Sequence, residues 1–192
     1  MAFADDIVLL ANTIEDIQNM TNKLNNEASK VGLKIHTGKT QWMSNAHTNA
    51  TLKLGDDDLV RCNEYKYLGQ IITLDGDLCK EINNRIKCSW LAFRKIENLL
   101  KSKEVTQDVK ADLFNSNILP TLLYASETWN TTLSNEIKLR TTQRTMERRM
   151  CNISKLQHIR AEEIRNITKV KDVNEEMYRS KKRWVGHVET NK

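Results

Sequence analysis

The sequence has one proline and six glycines in 192 residues, so it lacks the Pro- and Gly-rich stretches that mark flexible linkers and low-complexity segments. Its four cysteines, Cys62, Cys79, Cys88 and Cys151, are scattered. With no Cys-x-x-Cys pair and no histidine at zinc-ligand spacing, they read as reduced thiols and exclude a zinc knuckle or a disulfide framework. No apolar run approaches the length of a membrane span and no signal peptide opens the chain, which predicts a nuclear or cytoplasmic protein that is not secreted and does not meet a membrane. The glycosylation sequons at Asn49, Asn130, Asn152 and Asn166 are then chance matches, because that modification needs the secretory route.

What the sequence does have is an uneven charge. Residues 1–133 carry 15 Lys and Arg against 17 Asp and Glu, whereas residues 134–192 carry 15 against 8. The basic excess therefore lies in the last third, where an acidic partner such as nucleic acid would be met.

Hydrophobic spacing divides the chain in two. Over residues 1–76 short β-prone runs alternate with one helix, and over 77–192 the period becomes helical and stays so. The spacing predicts a strand from Phe3 to Ala11, a helix bearing Ile14, Ile17, Met20, Leu24, Ala28 and Val31, started by Thr13 with Asp16 and ended by Gly32, and strands at Leu33–Ile35 and Thr40–Ser44. Thr51–Leu54 and Asp58–Cys62 read as arms of an irregular hairpin, with Asp56, Asp57 and Asp58 in a solvated turn, and residues 64–74 as a strand pair turning near Gly69. Beyond them, Leu78, Ile82, Ile86, Trp90, Phe93 and Leu100 form the stripe of a long helix capped by Asp77, and Val105, Val109 and Leu113 that of a second. Pro120 kinks or restarts the chain, Ser134 caps a helix bearing Leu139, Met146 and Met150, and helical stretches at Ala161–Asn166 and Val173–Trp184 follow. The class is α+β: a small antiparallel sheet crossed by one helix, then a mostly α-helical region.

Two adjacent carboxylates, Asp5 and Asp6, stand before the apolar run Ile7-Val8-Leu9-Leu10. Acids held at the mouth of a strand suit hard divalent cations such as Mg²⁺, and two such ions clamp the oxygens of a phosphoryl transfer. The same pair also fits a solvated turn. Phe3-Ala4-Asp5-Asp6 with its apolar run resembles the palm motif of reverse transcriptases in the form carried by non-LTR (LINE-type, RTE-like) retrotransposons. Gly32-Leu33-Lys34-Ile35 with Lys39-Thr40 resembles the palm motif that follows, and Tyr67-Leu68-Gly69 the primer-grip hairpin. Leu119 to Trp129, Met146 to Met150 and Lys182 to Val188 are similar to blocks of the thumb and post-thumb region, while Glu189-Thr190-Asn191-Lys192 departs from it.

That resemblance implies a partial palm over 1–76 and a thumb with post-thumb over 77–192. It implies template-directed addition of deoxynucleotides to a primer, with Asp5 and Asp6 as catalytic metal ligands for Mg²⁺, and Lys39 near the departing pyrophosphate. It also implies a fingers region and a palm strand bearing a third catalytic Asp, which this sequence does not contain. The partner strand of the Asp5-Asp6 segment is expected upstream, where only Met1 and Ala2 stand. A fragment of this kind is expected to be inactive alone, with a further chain supplying the missing palm and fingers. Its partners would be an RNA template and an RNA/DNA or DNA duplex.

Nucleic-acid contact falls on Tyr67, Leu68 and Gly69 and on two basic clusters. Arg140, Arg144 and Arg148 recur at every fourth residue, flanked by Lys138 and Arg149, a stripe that can track a phosphate backbone. Lys181, Lys182 and Arg183 sit beside Trp184, whose ring can stack on a base or simply pack, and the same triplet could serve nuclear entry. Such faces are also found merely solvated. A non-catalytic duplex-binding module and an unselected retrotransposon relic stand as alternatives to the polymerase fragment.

Overall fold

The computed structural model describes residues 2–46 and 49–190; Met1, His47, Thr48, Asn191 and Lys192 lie outside them, and with them part of the divergent C-terminal tetrapeptide. The architecture is α+β, and the chain folds as two units, Met1–Asp77 and Leu78–Lys192.

In the first unit, strands β1 (Ala2–Phe3) and β2 (Asp6–Ile7) pair antiparallel, Ala2 facing Ile7 and Phe3 facing Asp6. The expected long strand with an upstream partner is therefore replaced by a hairpin that folds on itself. The reversal is made by Ala4, whose φ of +52° lets the chain turn within two residues. Nor is the apolar run a buried strand. Among the described residues the ladder ends at Ile7, and Phe3 and Leu10 are 65% and 70% exposed.

Helix α1 (Ile14–Lys30) begins as the sequence predicts. Thr13 Oγ1 accepts the Asp16 N–H at 3.0 Å and donates to Asp16 Oδ2 at 2.6 Å, satisfying an orphan donor of the first turn. It ends in a Schellman motif, with the Leu33 N–H on Ala28 O, the Gly32 N–H on Ser29 O, and Gly32 at φ +75°. Ile14, Ile17 and Ile35 pack against a small core of Trp42, Leu52, Leu54 and Leu59. Gln18 fastens the helix by using its side-chain amide as a strand would, donating to Lys53 O at 2.8 Å and accepting the Lys53 N–H at 2.9 Å. Along the rest of the stripe Leu24 and Ala28 are half-buried while Met20 and Val31 are exposed.

Leu33–Ile35 is not a strand, because no segment among the described residues pairs with it. A 3₁₀ turn, Thr37–Lys39, follows, then β3 (Gln41–Trp42) and the antiparallel pair β4 (Lys53–Leu54) with β5 (Asp57–Asp58) around Gly55 at φ +64°. Strand β6 (Val60–Arg61) runs parallel to β3. The last ladder joins β7 (Glu64–Tyr67) to β8 (Gln70–Thr73) antiparallel. Among the described residues the strands thus form four separate two-stranded ladders, one of them parallel, and not a single antiparallel sheet.

The second unit is helical. Helix α2 (Cys79–Lys101) buries Ile82, Phe93 and Leu100 as the stripe requires, with Leu78, Ile86 and Trp90 packed at its margin. Its N-cap position is Leu78 and not Asp77. Helix α3 (Gln107–Leu113) turns Lys110 and Ala111 inward; of the Val105–Val109–Leu113 stripe, Leu113 packs against the core while Val109 is exposed. The chain then widens into a π turn, Phe114–Ile118, before α4 (Leu119–Leu122). Pro120 explains the widening: it has no N–H to give a carbonyl four residues back, and its ring crowds that turn. Ala125, at φ +59°, reverses the chain into a 3₁₀ turn, Ser126–Thr128.

Helix α5 (Leu133–Met150) is capped by Thr132, whose hydroxyl accepts the Asn135 N–H at 3.3 Å, and not by Ser134. It carries Leu139, Met146 and Met150 into the core. Helices α6 (Ala161–Thr168) and α7 (Val173–Thr190) complete the unit, the latter running past the expected end at Trp184. Val173 and Met177 anchor α7 with no exposed surface.

Candidate nucleic-acid interface

The β1–β2 turn places Asp5 at its tip and Asp6 at the first position of β2, both exposed. Two neighbouring carboxylates in solvent are free to receive a cation, but a two-ion phosphoryl-transfer site needs more oxygen ligands than two side chains supply. No group of three or more His, Cys, Asp or Glu residues able to hold a metal ion occurs among the described residues. The donor set therefore does not by itself fit the pair of Mg²⁺ ions implied by the motif. Lys39 closes the Thr37–Lys39 turn, exposed. Among the described residues no hydrogen bond or ion pair joins it to Asp5 or Asp6.

Tyr67, Leu68 and Gly69 form the tip of the β7–β8 hairpin. Leu68 and Gly69 have φ of +46° and +85°, the pair of left-handed residues that a type I′ turn demands. Glycine meets that demand without strain. Leucine does not, and an exposed leucine held there places strain at the tip of this hairpin.

The arginine stripe on α5 does not face solvent as a unit. Arg144 Nη1 donates to Glu147 Oε1 at 2.7 Å and Nη2 to Asp172 Oδ2 at 3.0 Å, with the Arg144 side chain 17% exposed, Glu147 0% and Asp172 11%. Arg165 reaches the same Asp172 oxygen at 3.4 Å, and the Thr168 hydroxyl donates to Glu147 Oε2 at 3.3 Å. Arg148 donates from Nη2 to Ile159 O at 2.6 Å while its buried Nη1 has no hydrogen-bond partner among the described residues. Arg149 pairs with Glu97 at 2.8 Å and lies 5.9 Å over the Trp90 ring. Of the five basic residues read from this helix, only Lys138 and Arg140 are exposed and unengaged among the described residues; the fourfold spacing of the arginines matches an internal ion network as well as a phosphate track.

That network is a joint holding α5 to the α6–α7 turn. Gln143, fully buried, donates to Lys171 O at 2.6 Å and accepts the Val173 N–H at 2.9 Å. Burial pushes the Glu147 carboxyl above the usual glutamate range, against the pull of Arg144. Burial also acts to raise Asp172, but the backbone N–H groups of Glu175 and Asn174, with Arg165 and Arg144, outweigh it and hold the carboxyl low. Gln143, Glu147, Thr168 and Asp172 are not among the residues that the sequence singles out. A signal existed: Leu139, Gln143, Met146 and Met150 recur at steps of four, three and four, which puts Gln143 on the core stripe.

A second buried pair was also unforeseen. Arg85 Nε donates to Glu81 Oε1 at 2.6 Å, and its guanidinium lies 4.8 Å over the Tyr124 ring. The charge serves packing there, fixing the turn at Ala125 against α2.

On α7, Lys182 and Arg183 are exposed; Arg183 also donates to Ser180 Oγ at 3.1 Å. Lys181 is half-buried, its amine 5.7 Å over the Tyr178 ring and 3.5 Å from Thr131 Oγ1. The Tyr178 hydroxyl in turn donates to Glu136. No helix among the described residues is long and apolar enough to cross a membrane.

Comparison with known proteins places these features in a lineage. The reverse transcriptase (RNA-dependent DNA polymerase) domain matches residues 1–72, the segment that carries the Asp5-Asp6 and Tyr67–Gly69 tips. The chain is 33% identical over 202 aligned residues to an uncharacterized transposon-derived protein of Caenorhabditis elegans, covering 98% of this chain and 70% of the relative. No solved structure matches.

Proposed function

Because the chain belongs to the family of transposon-derived proteins and carries a reverse transcriptase domain at its N-terminal end, we propose that it is part of an RNA-directed DNA polymerase of the non-LTR type. In this reading the first unit is the later part of the palm and the second is thumb and post-thumb. The observation that carries it is the β1–β2 tip, where a two-residue reversal presents Asp5 and Asp6 side by side inside the matched domain. The pair provides part of a Mg²⁺ site. Completing it takes a third carboxylate, from a further segment or a partner chain that also brings the fingers, and positioning of primer and nucleotide fails without it. Tyr67–Gly69 lies against the primer, and Lys39 near the departing pyrophosphate.

Alone, the chain does not polymerise. The test is a fusion to the upstream palm and fingers of a close relative, assayed for metal-dependent primer extension. Activity that is lost in Asp5→Asn supports the reading; a folded, substrate-binding fusion that never extends a primer overturns it.

The surplus of exposed cations favours one second reading, a non-catalytic grip on RNA or RNA/DNA duplex. Lys138 and Arg140 on α5 and Lys182 and Arg183 on α7 are its contacts, and Arg144, Arg148 and Arg149 are not. Binding to a hybrid duplex should then fall steeply between about 50 and 200 mM salt. Affinity that is flat across that range argues against phosphate contact.

A further inference from the structure

Helix α2 carries more charge of one sign than its place in the chain suggests. Residues 1–133 hold a slight acidic excess, yet Cys79–Lys101 holds six basic residues against two acids. Both acids are withdrawn from the surface. Glu81 is fully buried against Arg85, and Glu97 is 17% exposed and held by Lys101 and Arg149, each at 2.8 Å. Ile82, Ser89, Phe93 and Leu100 turn one side of the helix into the core, so the opposite side keeps cations and no acid.

That opposite side forms one continuous row. At 3.6 residues per turn, Lys87, Leu91 and Arg94 stand within about 60° of one another round the axis, and Lys95 borders Leu91 one turn on. All four are exposed, Leu91 by 48%. No hydrogen bond or ion pair engages Lys87, Arg94 or Lys95 among the described residues. A merely solvated helix face mixes signs at three- and four-residue spacing. Here the acids that could supply such pairs are spent inward, and the other residues of that side nearest the cations, Asn84 and Asn98, are neutral. Three cations thus share one face without a counter-charge among the described residues.

We propose that this face of α2 lies along the phosphate backbone of a nucleic-acid duplex, with Lys87, Arg94 and Lys95 as its phosphate contacts. Charge complementarity names the class of partner, and what the face lacks narrows it. Lys87 and Arg94 are seven residues apart, about 10.5 Å along the helix, close to the axial rise of three phosphates on one duplex strand at about 3.4 Å each. An unpaired strand is gripped by stacking its bases on aromatic rings, and this face has none. Phe93 is buried, and Trp90 packs edge-on against it, ring centres 5.4 Å apart, under the Arg149 guanidinium. Phosphate contacts of this kind position a duplex without reading its sequence. A membrane surface is disfavoured, because an interfacial helix must bury an apolar face, and that of α2 is already in the core, leaving Leu91 as the apolar residue among the cations. The proposal rests on the nucleic-acid reading above and adds to it a helix which that reading does not use.

The test makes Lys87→Gln, Arg94→Gln and Lys95→Gln together and sets this variant beside the unaltered chain and a control in which Lys23, Lys103 and Lys155, exposed and scattered, are changed to Gln. Far-UV circular dichroism verifies that each is folded. Binding to a blunt-ended RNA/DNA hybrid is followed between about 50 and 200 mM salt. Each lost phosphate contact lowers the slope of log affinity against log salt by about 0.9. The α2 variant should therefore lose about 2–3 of slope, Arg94→Gln alone about 1, and the control almost none. Charge-keeping exchanges, Lys87→Arg, Arg94→Lys and Lys95→Arg, should retain binding. An α2 variant that binds like the unaltered chain, or a control that loses as much, overturns this inference and leaves the nucleic-acid reading standing. Single-stranded RNA that binds as tightly as the hybrid through the same three residues overturns the duplex assignment, and poly-glutamate that does so gives the face to an acidic protein. If the unaltered chain shows no salt-sensitive binding to the hybrid, the nucleic-acid reading falls together with this inference.

Discussion

Replacing Arg144 by methionine separates the two roles that its position offers. Structurally, the change leaves the Glu147 carboxylate buried with only the Thr168 hydroxyl and the more distant Arg165 charge, while Asp172 keeps Arg165 and its two backbone donors. Breaking one partner of a buried ion pair costs about 3–5 kcal/mol. A ceiling also applies, because Glu147 can escape by taking a proton. From an ordinary glutamate pKa near 4.3, protonation costs about 3.7 kcal/mol at pH 7 and about 1 kcal/mol at pH 5. Arg144→Met should therefore destabilise the chain by about 3 kcal/mol at pH 7 and by clearly less at pH 5. Adding Glu147→Gln should recover much of the loss, since the stranded charge is gone. Urea denaturation followed by tryptophan fluorescence at the two pH values measures all of this. A loss below about 0.5 kcal/mol at pH 7, which is the range of an ordinary surface substitution, accompanied by weaker and less salt-sensitive nucleic-acid binding, would refute the network and return Arg144 to the phosphate track.

The acid titration of the same joint has opposite signs at its two carboxyls. Asp172 is held low when folded, so its contribution is present above about pH 3.9 and is lost as pH falls through the lower folded value; Asp172→Asn should flatten the acid limb of a stability–pH curve. Glu147 is raised when folded, so stability is greatest below about pH 4.3 and declines as pH rises through the raised value; Glu147→Gln should remove that decline, and a steeper decline in the variant would contradict the assignment. At the β7–β8 tip, Leu68→Gly relieves a left-handed leucine worth about 1–2 kcal/mol but adds the chain entropy of glycine, for a net gain of about 0.5–1 kcal/mol in urea denaturation; a loss of stability would show that Leu68 is held there by packing that outweighs its backbone.

Where a local rule is complete in a few neighbouring residues, the sequence was readable. Thr13 with Asp16 and Gly32 marked both ends of α1 because the cap and the Schellman turn are closed by groups within one turn of each other. Leu68-Gly69 marked the β7–β8 reversal for the same reason. The α2 stripe was legible because its period repeats over six turns. Strands were not, since a strand exists only when another segment pairs with it. Leu33–Ile35 has the composition but no partner, whereas Gln41–Trp42 gains one 19 residues away in Val60–Arg61. Thr132 and Ser134 are both good caps, and nothing local to either decides which stands at the first turn.

The candidate site shows the same division at the level of charge. Spacing says which side chains share a helix face, and it placed Arg140, Arg144 and Arg148 together correctly. It cannot say what that face meets. On α5 the answer is an acid 28 residues away, Asp172, and a carbonyl 11 residues away, Ile159 O, so two of the three guanidiniums are spent inside the fold. On α7 the acids are absent across the whole span from 177 to 188, and there the expectation of available cations survives at Lys182 and Arg183. A basic helix keeps its cations available where its own chain leaves it without counter-charges, a condition met at the end of α7 and not along the arginine stripe of α5.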